Sequence, residues 1–251
     1  MIALVPGARL ALGTVTAIPV PPPDRVDEDV ARTAMLLAPF AVLPVALVAS
    51  GASAGLAALG VPRLAAGLVC IALLALGTRA IHLDGLADTC DALGVPGDRD
   101  RALEVMKRGD VGPMGAGALV LVLGLQAACL GDLLAHPWGW AIAAAGLAAS
   151  RCALALGCTP LVPAARPGGL GKAVAGSVPV WAAVVSGALW AGLVALLTLP
   201  GWGALAVLAA LGAVVGLLSV AVRRFGGMTG DVLGAAVELA AAVVLLGLTV
   251  V

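Results

Sequence analysis

Three aspartates at helical spacing, Asp84, Asp88 and Asp91, are the residues of this chain best suited to bind a divalent cation. They follow a strongly apolar run, within the segment His82–Asp91. Positions i, i+4 and i+7 share one face of an α-helix, so a helical segment aligns the three carboxylates. Close anions repel each other unless a cation neutralises them, and Mg²⁺ typically takes one or two carboxylates together with substrate phosphates and water. The spacing predicts a Mg²⁺ site, with a solvated helix end carrying ordinary surface acids as the alternative.

The histidine that opens this segment, His82, has two interpretations. It is a candidate base or metal ligand, and an interfacial histidine with a structural hydrogen bond fits its position equally well. Downstream, Arg99–Pro113 predicts a short amphipathic helix that ends at Gly109. Lys107 and Arg108, near the end of that helix, suit either phosphate oxygens or anionic lipid headgroups.

Two glycine-rich segments carry further candidates for binding anions. Arg166–Lys172 places Arg166 and Lys172 on either side of three glycines, which allow backbone N–H groups to approach an anion. Arg223–Asp231 contains Arg224, a second candidate for phosphate binding. In the same segment Thr229 and Asp231 are candidates for substrate contact, and capping of the following helix is the structural alternative for both.

Two ionisable residues lie inside apolar runs. Glu238 is seven residues beyond Asp231, roughly 10 Å deeper at about 1.5 Å per residue. Arg151 lies at a similar depth in another run. Charged residues within a membrane are candidates for function, so both are predicted to contact substrate. A structural ion pair between them is the alternative.

The composition requires a lipid environment for the elements that carry these residues. The chain has 251 residues, of which 62% are hydrophobic and 11% charged, and its mean hydropathy is +1.13. A soluble domain is about half apolar and about a quarter charged, so this chain has too few polar side chains to cover a surface in water. The formal net charge is zero, which gives no general attraction to nucleic acid. The lipid bilayer is therefore a predicted partner, and a homo-oligomer stays open.

Seven segments are long and apolar enough to cross a bilayer as helices, which takes about 20 residues. They are 35–53, 62–81, 115–134, 138–157, 179–199, 203–222 and 232–251. The predicted fold is a single, all-α domain over residues 1–251. Pro39 and Pro44 interrupt the first crossing, which we expect to be kinked or re-entrant. Residues 1–34 are predicted to form an interfacial segment, kept in the mature protein, and residues 82–113 an active-site loop.

Placing the loops on alternate sides puts almost all charge on one membrane face. That face receives twelve of the fourteen Lys and Arg residues, whereas the other receives little beyond Arg63, Asp132 and His136. Cytoplasmic loops carry an excess of Lys and Arg. We therefore expect a multi-pass protein of the cell inner membrane, with its candidate site on the cytoplasmic face.

The chain resembles the cobalamin synthase family, the adenosylcobinamide-GDP ribazoletransferases. The resemblance covers nearly its whole length and is strongest at His82–Asp91 and at Gly226–Ala235, with Glu238 following. Residues 100–106, Ser150 with Arg151, and the Arg166 loop add weaker matches. The chain departs from many relatives at Arg108-Gly109-Asp110, where they carry an acid before Ser-Arg or Ser-Pro, so no role is carried onto Asp110.

The resemblance implies a phosphoryl transfer that uses Mg²⁺. The 3′-hydroxyl of α-ribazole, or of its 5′-phosphate, attacks the cobinamide-proximal phosphorus of adenosylcobinamide-GDP, and GMP leaves. Phosphoryl transfer depends on placement and charge neutralisation more than on covalent help. Asp84, Asp88, Asp231 and His82 are the expected catalytic residues. Arg166, Lys172 and Arg224 are expected to bind the phosphates and the leaving GMP.

Two alternative functions belong to other classes. CDP-alcohol phosphotransferases and prenyltransferases also place aspartate-rich motifs at a membrane face, but this chain lacks their complete motifs. An ion-coupled transporter would place its site near the bilayer midplane. Only Glu238 and Arg151 suit that position, whereas the aspartates cluster at one surface.

Overall fold

The computed structural model describes residues 3–198 and 201–250. Within these ranges the backbone forms twelve α-helices and no β-strand, which confirms the predicted all-α class. The helices are α1 (Leu4–Val15), α2 (Glu28–Ala58), α3 (Arg63–Thr78), α4 (Ile81–Gly94), α5 (Arg99–Arg108), α6 (Pro113–Leu133), α7 (Gly139–Ala149), α8 (Cys152–Gly157), α9 (Gly169–Val174), α10 (Val180–Leu197), α11 (Trp202–Phe225) and α12 (Gly230–Leu248).

Six helical stretches in the described residues are long and apolar enough to cross a membrane: α2, α6, α7 with α8, α10, α11 and α12. Helix α3 passes the same test only together with α4, and the two are bent by 98°. Six crossings, or seven when this pair counts as one, agree with the predicted number and indicate a multi-pass membrane protein. The predicted ends of two crossings, at Leu199 and Val251, lie outside the described residues.

The first crossing begins earlier than the hydropathy predicts. Asp27 caps α2 by accepting a hydrogen bond from the Val30 amide at 3.0 Å. The helix then runs for 31 residues through Pro39 and Pro44. At about 1.5 Å per residue it is longer than a bilayer core of about 30 Å. Its first turns therefore belong to the stretch predicted as interfacial.

The predicted loop 82–113 is mostly helical. Helix α4 turns away from α3 and lies across the N-terminal ends of α12 and α6, and it is not one of the six stretches that are long enough to cross a membrane by themselves. Glycines allow the close crossings: a Cβ at Gly85 would lie 2.6 Å from the Asp231 carbonyl oxygen, and one at Gly115 would lie 2.8 Å from the Ala87 carbonyl oxygen. The backbone contact at Gly85 sets the distance between the two acidic motifs.

Candidate active site

The crossing of α4 and α12 brings the two acidic motifs to one cleft of about 260 Å³. Asp84 projects from α4, and Asp231 lies in the first turn of α12. Asp84 is exposed, whereas Asp231 is partly buried. The remaining polar wall comes from Arg166, Lys172 and Thr229. Carboxylates separated by about 150 residues of sequence thus face the same space as two cations.

Asp88 lies one turn beyond Asp84 and is buried, with 6% of its surface exposed. Burial, and after it the negative charges of Asp84, Asp231, Asp91 and Asp110 in that order, together raise the pKa of its carboxyl to about 6. These charges disfavour a carboxylate that lacks a positive partner. A cation beside Asp84 and Asp88 would relieve the repulsion.

Asp91 has a different environment from the other two aspartates. Its Oδ2 accepts a hydrogen bond from the Gly112 amide at 2.7 Å, and its Oδ1 accepts one from the Gly115 amide at 2.9 Å. These amides belong to the start of α6, whose N–H groups have no partner within the helix. Asp91 therefore supplies the cap that the α6 N-cap residue, Gly112, lacks a side chain to provide.

The predicted three-aspartate metal group is not assembled in the described residues, where no cluster of three His, Cys, Asp or Glu side chains is placed to hold an ion. Carboxylate oxygens are nevertheless the ligands that Mg²⁺ prefers, and one or two suffice when substrate phosphates and water complete its shell. Asp84 and Asp231 line one cleft, and the negative charges of both raise the pKa of the neighbouring Asp88 carboxyl. This donor set fits Mg²⁺, and the metal assignment itself stays a prediction.

The N-terminus of α12 has the cap that the sequence suggests. The Thr229 Oγ1 accepts a hydrogen bond from the Val232 amide at 3.2 Å and lies 3.2 Å from Asp231 Oδ2, to which it can donate. Capping fixes the first turn of the helix and the carboxylate that projects from it. Thr229 thus holds Asp231 in place, and both residues line the cleft.

The glycine-rich loop lies against this same helix start. The Ala165 amide donates to the Met228 carbonyl at 2.9 Å, and the Met228 amide donates to the Pro163 carbonyl at 2.8 Å. A Cβ at Gly171 would come within 3.1 Å of the Thr229 Cα. These contacts hold Arg166 and Lys172 at the cleft. Lys172 is exposed, and Arg166 donates to the Leu103 carbonyl at 2.7 Å.

Three other predicted phosphate-binding residues lie elsewhere. Arg224 donates to the Gly97 and Val95 carbonyls, at 2.9 and 2.7 Å, and so ties the end of α11 to the α4–α5 connection. Lys107 and Arg108 are exposed on α5, and Arg108 pairs with Glu104 at 3.1 Å. Among the described residues that line the cleft, none of these three cations occurs. Their predicted substrate contacts stay predictions.

The intramembrane residues are buried but do not pair with each other. Arg151, 1% exposed, lies at the turn between α7 and α8 and donates to the Leu147 carbonyl at 2.7 Å. The Glu238 carboxylate accepts a hydrogen bond from Gln126 at 2.9 Å. The described side chains of Arg151 and Glu238 form no ion pair, so each has its own hydrogen-bonded environment. His82 is also buried, and its Nδ1 has no partner in the described part of the chain.

Arg99 is a structural residue of the site that sequence reasoning missed. Its Nε donates to the Phe225 carbonyl at 2.7 Å and its Nη2 donates to the Ala165 carbonyl at 2.6 Å. One guanidinium thereby joins the end of α11 to the loop that carries Arg166. Its position directly after Asp98, the residue that caps α5, marks the start of a helix but not these distant partners.

Comparison with known proteins gives a consistent result. The family model described as cobalamin-5-phosphate synthase matches residues 7–249. A protein of a Nocardioides species, named adenosylcobinamide-GDP ribazoletransferase, is 48% identical over 95% of this chain and 96% of its own length. Proteins of the same name from Frankia casuarinae and Bradyrhizobium diazoefficiens are 39% and 36% identical, each over 95% of this chain and over 92% and 91% of their own lengths. No solved structure matches the chain.

Proposed function

The chain belongs to the cobalamin-5-phosphate synthase family, and we propose that it transfers the cobinamide-phosphate group of adenosylcobinamide-GDP to α-ribazole or its 5′-phosphate. GMP is released, and the product is adenosylcobalamin or its 5′-phosphate. This reaction assembles the nucleotide loop of vitamin B12. The observation that carries the proposal is the cleft in which two carboxylates meet two cations, within a chain that matches named transferases along 95% of its length.

The reaction exchanges one phosphorus–oxygen bond for another. The ribose 3′-hydroxyl oxygen forms a bond to the cobinamide-proximal phosphorus, the bond from that phosphorus to the GMP oxygen breaks, and GMP keeps the electron pair. The hydroxyl proton passes to a carboxylate or to water. Asp84 is suited to orient this hydroxyl, because its exposed carboxylate lines the cleft. Asp231, which Thr229 holds at the cleft, is suited to complete the cation site. His82 remains a second candidate base.

Arg166 and Lys172 are suited to bind the diphosphate. Both residues line the cleft. Their positive charges would neutralise the negative charge on the equatorial oxygens of the transferred phosphoryl group. Arg166 is the better positioned of the two because its hydrogen bond to Leu103 already restricts its side chain. Pre-positioned donors need little reorganisation during the reaction.

Mg²⁺ is the proposed cofactor, with Asp84, Asp88 and Asp231 as its candidate ligands. When bound it would neutralise diphosphate charge and orient the reacting oxygens. Asp91 is not among these ligands, because both of its oxygens accept hydrogen bonds from amides at the start of α6. Those hydrogen bonds join α4, which carries Asp84 and Asp88, to α6. The site faces the cytoplasm in our proposal, as the Lys and Arg distribution favours.

The proposal is tested with purified protein in liposomes supplied with adenosylcobinamide-GDP, α-ribazole and Mg²⁺. GMP and adenosylcobalamin should form in equal amounts. Chelation with EDTA should abolish both, and Mg²⁺ should restore them. Folded protein that yields neither product with Mg²⁺ present would contradict the function, whereas product formation in EDTA would contradict the cofactor alone.

A further inference from the structure

A second groove, of about 510 Å³, adjoins Asp84 towards α6, whereas the cationic cleft adjoins it towards α12. Its lining is mainly apolar and includes Leu83 and Ala87 of α4, Leu119 of α6, and Val111 just before α6. Arg79 is the one cation among the described residues that line the groove. Leu119 lies six residues into α6, about 9 Å from its start, so the groove extends along a helix that is long and apolar enough to cross a membrane.

The two spaces differ in chemistry and share one carboxylate. The cleft combines two cations with glycine backbone, whereas the groove combines an apolar wall with a single guanidinium. Asp84 and Ile81 line both. In a phosphoryl transfer the attacking and leaving oxygens lie roughly in line on opposite sides of the phosphorus. A phosphorus held at Asp84 would thus have its leaving group on one side of this carboxylate and its nucleophile on the other.

We infer that the groove is the subsite for the nucleoside acceptor, and that Arg79 recognises the 5′-phosphate of that acceptor. This inference rests on the proposed function. A flat, apolar base suits the wall formed by Leu83, Val111 and Leu119. The strongly anionic diphosphate and GMP suit the cleft with Arg166 and Lys172. The 3′-hydroxyl then reaches the phosphorus from the groove, and GMP departs through the cleft.

The backbone conformation at Arg79 supports a specific role. Arg79 and the next residue, Ala80, have φ values of 56° and 54°, in the left-handed region that non-glycine residues rarely adopt. Such strained positions cluster at ligand sites, where the surrounding structure maintains them. The Arg79 Nη2 donates to the Gly13 carbonyl of α1, which anchors the side chain. A guanidinium has five N–H donors, so others remain for a phosphate.

Steady-state kinetics on Val111→Trp test the apolar part of the subsite. Val111 is 56% exposed, so the larger side chain can be accommodated while it narrows the groove. We expect the KM for α-ribazole to rise about tenfold or more, with the KM for adenosylcobinamide-GDP unchanged within about twofold. Val120→Trp is the matched control, because Val120 is 73% exposed on the outer surface of α6. An equal rise in both KM values, or none, would overturn the assignment.

Arg79→Gln and Arg79→Lys test the phosphate contact. The measured quantity is kcat/KM for α-ribazole 5′-phosphate divided by that for α-ribazole. Arg79→Gln should lower this ratio about tenfold or more, and Arg79→Lys should retain most of it. Arg223→Gln, an exposed arginine in the last turn of α11, is the control and should leave the ratio unchanged.

A phospholipid headgroup is the other anion that Arg79 could meet at this depth. Repeating the assay in liposomes with and without anionic lipid separates the two sources. A change in ratio that is independent of lipid supports the acceptor subsite, and one that occurs only with anionic lipid overturns it. GMP release by the wild-type protein tests the proposed function. The subsite inference is tested separately, by the two KM values in Val111→Trp and by the kcat/KM ratio in the Arg79 variants.

Discussion

At the scale of single residues, the environment separates aspartates that the sequence presents as equivalent. Asp84 is exposed in a cleft with cations, whereas Asp91 is buried and accepts two backbone hydrogen bonds from α6. Asp88 lies between these cases, buried among like charges that raise its pKa to about 6 after the larger effect of burial. We therefore expect substitution of Asp84 to affect chemistry and substitution of Asp91 to affect stability.

Asp84→Asn and Asp91→Asn form a matched pair, because each removes one negative charge and keeps the size and shape of the side chain. Asp84→Asn should lower kcat by about 100-fold or more, by removing charge stabilisation at the reacting phosphate. It should leave thermal stability close to that of the wild type. Turnover assays and thermal unfolding of detergent-purified protein provide both measurements. Wild-type turnover in Asp84→Asn would exclude this carboxylate from the reaction.

Asp91→Asn should destabilise the protein by about 1–3 kcal/mol, because Asn keeps only one acceptor oxygen and its NH2 group, a donor, would face the other backbone N–H in a buried position. The loss should appear as a lower midpoint of thermal unfolding, and the protein that remains folded should retain measurable turnover. If instead Asp91→Asn unfolds at the wild-type temperature and has no activity, Asp91 acts in the reaction and its hydrogen bonds to α6 are secondary.

At the scale of elements, glycine determines how closely the site's helices approach. A side chain at Gly85 would overlap the backbone of Asp231, and one at Gly234 would lie 3.2 Å from the His82 Cα. Both acidic motifs therefore depend on two residues that carry no functional group. The three arginines Arg99, Arg166 and Arg224 then fasten the loops by donating to backbone carbonyls.

Gly85→Ala should force α4 and α12 apart, because its Cβ would lie 2.6 Å from the Asp231 carbonyl oxygen. Overpacking of this kind costs about 1–3 kcal/mol, and the moved aspartates should also lower kcat. Gly117→Ala in α6 is the control: its Cβ meets nothing within 4 Å, so stability should be unchanged or slightly higher. Equal unfolding midpoints and rates for the two variants would contradict the role assigned to this crossing.

At the scale of the whole molecule, the charged connections meet at one end of the helical bundle. Arg32 donates to the Ser177 carbonyl at 2.9 Å, Arg224 reaches the α4–α5 connection, and Arg99 reaches the Arg166 loop. At the other end, Arg63 pairs with Asp132 at 2.6 Å. This asymmetry is the basis for our proposal that the site faces the cytoplasm.

Cysteine labelling tests that orientation. Arg108→Cys and His136→Cys, each in a Cys90→Ser background, place an exposed thiol at opposite ends, and the other four native cysteines are buried. A membrane-impermeant maleimide added to intact spheroplasts should label His136→Cys and leave Arg108→Cys unlabelled. Inside-out vesicles should show the reverse. Labelling of Arg108→Cys in intact spheroplasts would invert the proposed topology.

The amino-acid sequence by itself determined the membrane class, the number of apolar segments and the one-sided distribution of charge. These are local properties, since hydrophobic length and loop charge can be evaluated segment by segment. The segment His82–Asp91 also sufficed to suggest the family, which the family model and the named relatives confirm. Likewise, Thr229 was recognisable as a cap because capping depends on residues only three positions apart.

Only the tertiary structure decided which side chains share a space. The 98° bend after α3 turns α4 across two helix ends, and this bend directs Asp84 to the cleft and Asp91 to α6. Because of the same packing, Arg224 and Arg99 donate hydrogen bonds to backbone carbonyl groups more than 120 residues away in the sequence. The partner of a polar side chain depends on contacts between distant segments, and helical spacing contains no information about those contacts.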